Sequence, residues 1–224
     1  MVNWDPYLAS IRDSYAQWWQ VYTLTDVQGR KPKPQQPTPR LFDFGLMVQT
    51  KSEQPQRDQN QDKIERLPVL EGLRKYAADH VLLVGRPGSG KSTALVRLLG
   101  DEGIQGKIPV LVELRYYQTS VVELVRNFLK RHGVLLDSTK IGLRPRYAIE
   151  RLLCDGQFWL LIDGVNELPS EAARVDLTQF RRDYQKQTPM IFTTRDLGVG
   201  GDLGIQKKLE MQPFRCSHQF YVKN

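Results

Sequence analysis

Two cysteines are all that this chain of 224 residues carries. Cys154 and Cys216 cannot build a disulfide framework, and no Cys/His cluster has metal-ligand spacing. Reduced thiols in a cytoplasmic protein are the expectation. No apolar run approaches the roughly 20 residues that span a bilayer, so no transmembrane helix is expected. Met1-Val2-Asn3-Trp4-Asp5 has no basic region leading into an apolar core and does not read as a signal peptide. Internal repeats are missing, as are helix-turn-helix, zinc-finger and aromatic–basic recognition motifs. The formal net charge of +7 falls mostly beyond residue 63. Arg126, Lys130 and Arg131 carry part of it, as do Arg144, Arg146, Arg151, Arg181, Arg182 and Lys186. Scattered over several predicted helices, these charges read as solvated faces, and nucleic acid is not expected as a partner.

The chain divides by composition. Tyr7, Leu8, Ile11, Tyr15, Trp18, Trp19 and Tyr22 recur at spacings of three and four, which predicts an aromatic amphipathic helix over residues 6–24 within a segment 1–28. Asp5 is its expected N-cap, with Pro6 in the first turn. The stripe has two uses: packing on a neighbouring domain, or presenting aromatic anchors to a protein partner. Residues 29–63 form a Pro/Gln-rich linker with a short apolar island, Leu41 to Val48, and a flexible stretch over 49–63. From about residue 64 to 214, apolar strands alternate with helices. Val81–Val84, Ile108–Leu114, Phe158–Ile162, Met190–Thr194 and Lys208–Met211 read as five strands. Helices are expected before Gly133, before Gly156 and after Ser170, where Ala173, Leu177, Phe180 and Tyr184 share a face. Nearly unbroken apolar strands between helices imply an α/β fold with a mostly parallel sheet covered on both sides. Residues 215–224 form a tail.

One run decides the chemistry. Gly85-Arg86-Pro87-Gly88-Ser89-Gly90-Lys91-Ser92, followed by Thr93, lies between an apolar strand and a predicted helix. That is the setting of a phosphate-binding loop. Its glycines admit close backbone approach, and the amides and helix N-terminus point at an anion. Lys91 is expected on the β- and γ-phosphates, and the Ser92 hydroxyl on Mg²⁺.

Such a loop needs a carboxylate at the end of another buried strand. Phe158-Trp159-Leu160-Leu161-Ile162-Asp163 supplies it, because an aspartate after five apolar residues calls for a cation or hydrogen bonds. Asp163 is the second expected Mg²⁺ ligand. Glu167, four residues on and past a glycine turn, is the candidate that orients the attacking water. Ile191-Phe192-Thr193-Thr194-Arg195 ends a strand in a cation at the carboxyl edge of the sheet, where open α/β sheets bind ligands. Arg195 is the candidate for sensing or stabilising the γ-phosphate.

Taken in order, GRPGSGKST, IPVLVEL, WLLIDGVNEL and IFTTR resemble the NACHT family, a branch of the STAND class of P-loop NTPases. The resemblance covers residues 64–214. Gly164 stands directly after Asp163, with the acid delayed to Glu167, which is the NACHT arrangement. The resemblance implies a three-layer sandwich around a five-stranded, mostly parallel sheet, with the strand 190–194 lying between 81–84 and 158–162. It implies ATP or GTP with Mg²⁺, slow hydrolysis, oligomerisation on activation and a signalling switch, in some bacterial relatives for antiphage defence. Asn166 stands where the family often has a second acid, which implies slow turnover. Family members continue into helical and winged-helix segments that residues 215–224 do not resemble, so the expectation is a module that holds nucleotide without those parts. The alternatives are a nucleotide-binding interaction module without significant hydrolysis and an AAA+-like ATPase acting on DNA.

Overall fold

Apolar strands that leave no polar gap fold here as the middle of one sheet. The computed structural model describes residues 2–19, 47–51, 65–100, 106–134, 145–195 and 203–212. Its strands are β1 (Met47–Lys51), β2 (Arg66–Pro68), β3 (Val81–Val84), β4 (Ile108–Glu113), β5 (Phe158–Asp163), β6 (Met190–Thr194) and β7 (Lys207–Met211). They form a seven-stranded sheet in the order β2-β1-β7-β3-β6-β5-β4. The strands from β7 to β4 run parallel. Every residue of β3 and β6 is buried, as in a parallel sheet covered on both faces. β6 lies between β3 and β5, where it was expected.

The sheet has two strands more than the five expected. β1 and β2 extend it antiparallel beyond β7, with Val48 opposite Met211 and Met47 opposite Pro68. Met47-Val48-Gln49-Thr50-Lys51 has no apolar run, and residues 49–51 read as part of a flexible stretch. They are strand because β7 offers them a free edge and Val48 reaches the core, where it is buried. Tertiary pairing supplies the reason, and composition does not reveal it.

Six helices are described: α1 (Asp5–Trp19), α2 (Val69–Tyr76), α3 (Lys91–Leu99), α4 (Val121–Arg131), α5 (Pro145–Cys154) and α6 (Glu171–Tyr184). Ser120 and Ser170 cap α4 and α6, their hydroxyls accepting from Glu123 N and Ala173 N. At α1 the expected cap shifts. Asp5 is already helical, and Asn3 Oδ1 accepts its N–H at 3.0 Å. The described part of the aromatic stripe is turned to the domain: Tyr7 and Ile11 are fully buried, and Leu8 and Tyr15 are partly buried against the core. Tyr7 donates its hydroxyl to the Pro109 carbonyl at 2.7 Å, and Ser10 Oγ lies 3.0 Å from His132 Nδ1. Trp4 meets Phe158 edge to face at 5.8 Å. Residues 20–24, the side chains of Trp18 and Trp19, the remainder of 29–63 and the tail 215–224 lie outside the described residues. No described helix is long and apolar enough to cross a membrane.

Candidate functional site

The loop between β3 and α3 is shaped by three glycines. Gly88 and Gly90 have φ of 74° and 89°, a region that side chains rarely enter. Gly90 is also the N-cap of α3, and no side chain caps the helix there. The first-turn amides therefore have no intrahelical acceptor and are available to an anion. At Gly85 space is the constraint: a Cβ would stand 2.8 Å from both Ser89 Oγ and Met211 Cβ. Ser89 N closes the turn on Arg86 O at 3.2 Å, and Gly85 N bonds Thr194 O at 3.3 Å, joining the loop to β6.

Lys91 is buried at the start of α3. Its ammonium donates to Gly85 O at 2.7 Å, Arg86 O at 2.9 Å and Ser89 Oγ at 3.4 Å. Burial pulls the Lys91 pKa below its ordinary value, and the nearby Asp163 carboxylate opposes that pull. Three neutral acceptors hold the charge in the space that the loop amides surround. This cradle of uncapped amides and a buried ammonium fits a phosphate chain.

Across from the loop, the ends of β5 and β6 are stitched together. Thr193 Oγ1 donates to Asp163 Oδ1 at 2.5 Å and accepts Gly164 N–H at 2.9 Å. Arg195 donates its backbone N–H to Asn166 Oδ1 at 3.0 Å, and its Nη2 to Glu167 Oε1 at 2.9 Å. Gly164 has φ 83°, and the Glu167 carboxylate folds back over it, 2.9 Å from where a Cβ would be.

These two constructions face one cleft of about 270 Å³. Pro87, Gly88, Ser89, Gly90, Lys91, Ser92 and Thr93 line one side, and Asp163, Gly164, Asn166, Glu167, Thr193 and Arg195 the other. The expected residues of the two walls, at least 70 positions apart in the chain (163 − 93), thus converge, apart from Gly85 and Arg86, which contribute carbonyls to Lys91 and do not line the cleft. Asp163 keeps its Oδ2 without a hydrogen bond among the described residues. Asp163 and Ser92 line the same cleft, and a carboxylate with a hydroxyl suits Mg²⁺, which takes few protein ligands and keeps phosphate oxygens and water. Among the described residues no group of three or more His, Cys, Asp and Glu side chains forms a metal cage.

Two contributors escaped the sequence reading. Thr193 positions the Asp163 carboxylate, and Asn166 anchors the backbone of Arg195. A hydroxyl buried in an apolar strand is the signal for the first, since a buried polar group needs a partner. For Asn166, which replaces an expected acid, no local pattern announces an acceptor role.

Residues 60–220, more than half of the chain, match the NB-ARC domain. No curated protein matches. Among solved structures, the chain is similar to Cdc6p from Pyrobaculum aerophilum, at 15% identity and a TM-score of 0.42, over 65% of this chain and 44% of that one. It is also similar to PCH-2 from C. elegans, at 17% identity and 0.38, over 66% and 41%. The cytoplasmic domain of EssC matches at 15% identity and 0.35, over 80% and 38%. The chain spans less than half the length of each of these proteins.

Proposed function

The chain belongs to the NB-ARC domain family of STAND-class P-loop NTPases, and from this we propose that it is a switch module that binds ATP, or GTP, with Mg²⁺ and hydrolyses it slowly. The observation that carries the reading is the convergence of Lys91, Asp163, Glu167 and Arg195 on one cleft. The amides of Gly88 to Thr93 and the Lys91 ammonium hold the phosphates. Ser92 and Asp163 hold the cation, which supplies charge neutralisation at the β- and γ-phosphates. Glu167 orients water. Arg195 answers to the γ-phosphate.

Within the STAND class, the glycine directly after Asp163 and the acid at Glu167 support a NACHT-type arrangement. That spacing also speaks against an AAA+-like ATPase acting on DNA. Oligomerisation on nucleotide exchange and a signalling role, antiphage defence among them, are the functions proposed for such a switch. With Tyr7 and Ile11 turned to the domain, a protein partner of α1 would meet its outward residues. A module that binds without turnover is the second reading, favoured by the ion pair that holds Glu167 on Arg195.

Calorimetry with ATP, ADP and GTP on wild type and Lys91→Ala tests the reading. Loss of a charge-assisted hydrogen bond to phosphate costs about 1.5–3 kcal/mol, so affinity is expected to fall roughly 10- to 150-fold. Equal affinity in the variant removes the assignment. Hydrolysis that is measurable in wild type and unchanged in Glu167→Gln removes the role given to Glu167, and binding with no hydrolysis selects the second reading.

A further inference from the structure

Basic residues that the sequence scatters over several helices are gathered by the topology on one side of the domain. The five strands from β7 to β4 run parallel. Helices between parallel strands return antiparallel to them, so their C-termini collect at the amino edge of the sheet, away from the phosphate cleft. Polar contacts tie that edge into one surface. His80 Nε2 lies 2.6 Å from Gln185 O, Thr188 donates to Leu153 O at 2.7 Å, and Lys107 donates to both Gly156 O and Gln187 O. Tyr7, bonded to Pro109 and set edge to face on His132, marks the end of α4 at the same border. We propose that this amino edge docks the phosphate backbone of double-stranded nucleic acid without reading its sequence. The face is separate from the cleft, so the proposal stands apart from the nucleotide reading.

Charge carries it. Lys75 lies in the last turn of α2, Lys130 in that of α4, Arg151 in that of α5 and Arg182 in that of α6. Lys107 precedes β4, and Lys186 stands between α6 and β6. All of these except Lys107 are exposed. The acids described on the same edge are fewer and engaged: Glu65 by Lys75 and Tyr76, Asp155 by Arg151 at 3.7 Å, and Asp183 by Gln179. The opposite ends of α2, α4 and α6 carry Glu71, Glu123 and Glu171. A helix dipole favours a base at its C-terminus, which accounts for the helical positions but not for Lys107 and Lys186. Its field fades within the last turn, whereas whole charges act together over a Debye length of about 8 Å at physiological salt.

What the edge lacks selects the polyanion. Surfaces that bind anionic membranes join bases to an apolar anchor. The exposed large apolar side chains among the described residues are Tyr116, Tyr147 and Val175. Tyr116 follows the carboxyl end of β4, and the other two lie in the first halves of α5 and α6, so none is on the amino edge. The ring of Tyr76 is covered by Lys207, 3.8 Å from its centroid, and offers no stacking platform for unpaired bases. Charge without anchor or platform suits the regular phosphates of a duplex.

The test is fluorescence anisotropy of a labelled DNA duplex of about 20 base pairs, titrated with the full chain from about 50 to 200 mM salt. Wild type is expected to bind at micromolar concentrations at low salt, with log affinity falling linearly in log salt, and equally for two duplexes of unrelated sequence. Arg182→Gln with Lys186→Gln is expected to weaken binding about tenfold or more and to lower the salt slope by about one unit for each charge removed. Lys130→Gln with Arg151→Gln repeats the measurement elsewhere on the edge, with the same result expected. Arg126→Gln with Arg174→Gln removes equal charge from side chains paired with Glu123 and Glu171, near the other helix ends. It is expected to change affinity less than about twofold. Thermal melts that match wild type show that each variant is folded. Absence of duplex binding by wild type at low salt overturns the proposal, as does an equal loss in the control pair, which marks attraction to overall charge alone. Strong preference for one duplex overturns the backbone reading. Pelleting with phosphatidylserine vesicles, with the duplex left unbound, gives the face to a membrane instead and overturns it too.

Discussion

Thr193 holds the carboxylate of Asp163 across the junction of two neighbouring strands, donating from Oγ1 to Oδ1 at 2.5 Å. The same oxygen accepts the N–H of Gly164 at 2.9 Å. Thr193→Val keeps the shape and removes both bonds. Two polar groups then lose their partner, at about 1–3 kcal/mol. A lower midpoint in urea unfolding and a weaker dependence of nucleotide affinity on Mg²⁺ are the expected results. A variant as stable as wild type and equally responsive to Mg²⁺ contradicts the positioning role.

Gly85→Ala tests packing at the root of the phosphate loop. The added methyl would stand 2.8 Å from Met211 Cβ, an atom that moves only with β7 itself. Overpacking of this kind costs about 1–3 kcal/mol. The expected outcome is a depressed melting temperature together with reduced ADP affinity, since β7 and the loop have to separate. Gly88→Ala has nothing within 4 Å but requires φ near 74°. Its penalty is conformational and stays within the loop.

His132 gives the attachment of α1 a dependence on pH. Tyr7, Ser10 and Tyr15 face it from α1, and Phe128 and Arg131 from α4. Burial holds its pKa below the ordinary value, and Arg131 adds to the effect. The folded state thus binds fewer protons than the unfolded one once pH falls below about 6.5, and stability declines as the solution is acidified. It is fully present above that value. Thermal melts from about pH 7.5 down to pH 5 should show the decline in wild type, with a shallower slope in His132→Phe. Parallel slopes in the two proteins place the acid sensitivity elsewhere.

Tyr7→Phe removes a single buried hydroxyl. Its bond to the Pro109 carbonyl is replaced by nothing, and the expected loss is about 1 kcal/mol. Hydrogen exchange of the amides of α1 should quicken more than that of β3 or β6. Uniform change across the domain speaks against a local role for the contact.

The middle of the sheet was readable because β5 and β6 offer no polar interruption before their last residues, and glycine spacing alone marks the phosphate loop. The outer strands were not readable. Lys51 and Gln49 carry no sign that β7 will leave an edge beside them, and three residues, Arg66 to Pro68, are too few for a pattern. The site divides in the same way. Lys91, Asp163, Glu167 and Arg195 belong to local motifs whose chemistry is visible in one dimension. Thr193 and Asp163 stand 30 residues apart, and their bond exists only because the sheet sets β5 beside β6. The pairing of Glu167 with Arg195 is of the same kind. Each residue announced a charge, and the fold decided that the two charges would first satisfy each other.

Pro109 lies on β4, the strand that ends the sheet, and it has no N–H to offer a newcomer. Its carbonyl is already taken by Tyr7. A strand arriving at that position finds neither donor nor acceptor, and the opposite border, β2, is three residues long. Both margins of the sheet are poor templates for a further strand. Among the described residues, neither border therefore invites the sheet to grow wider.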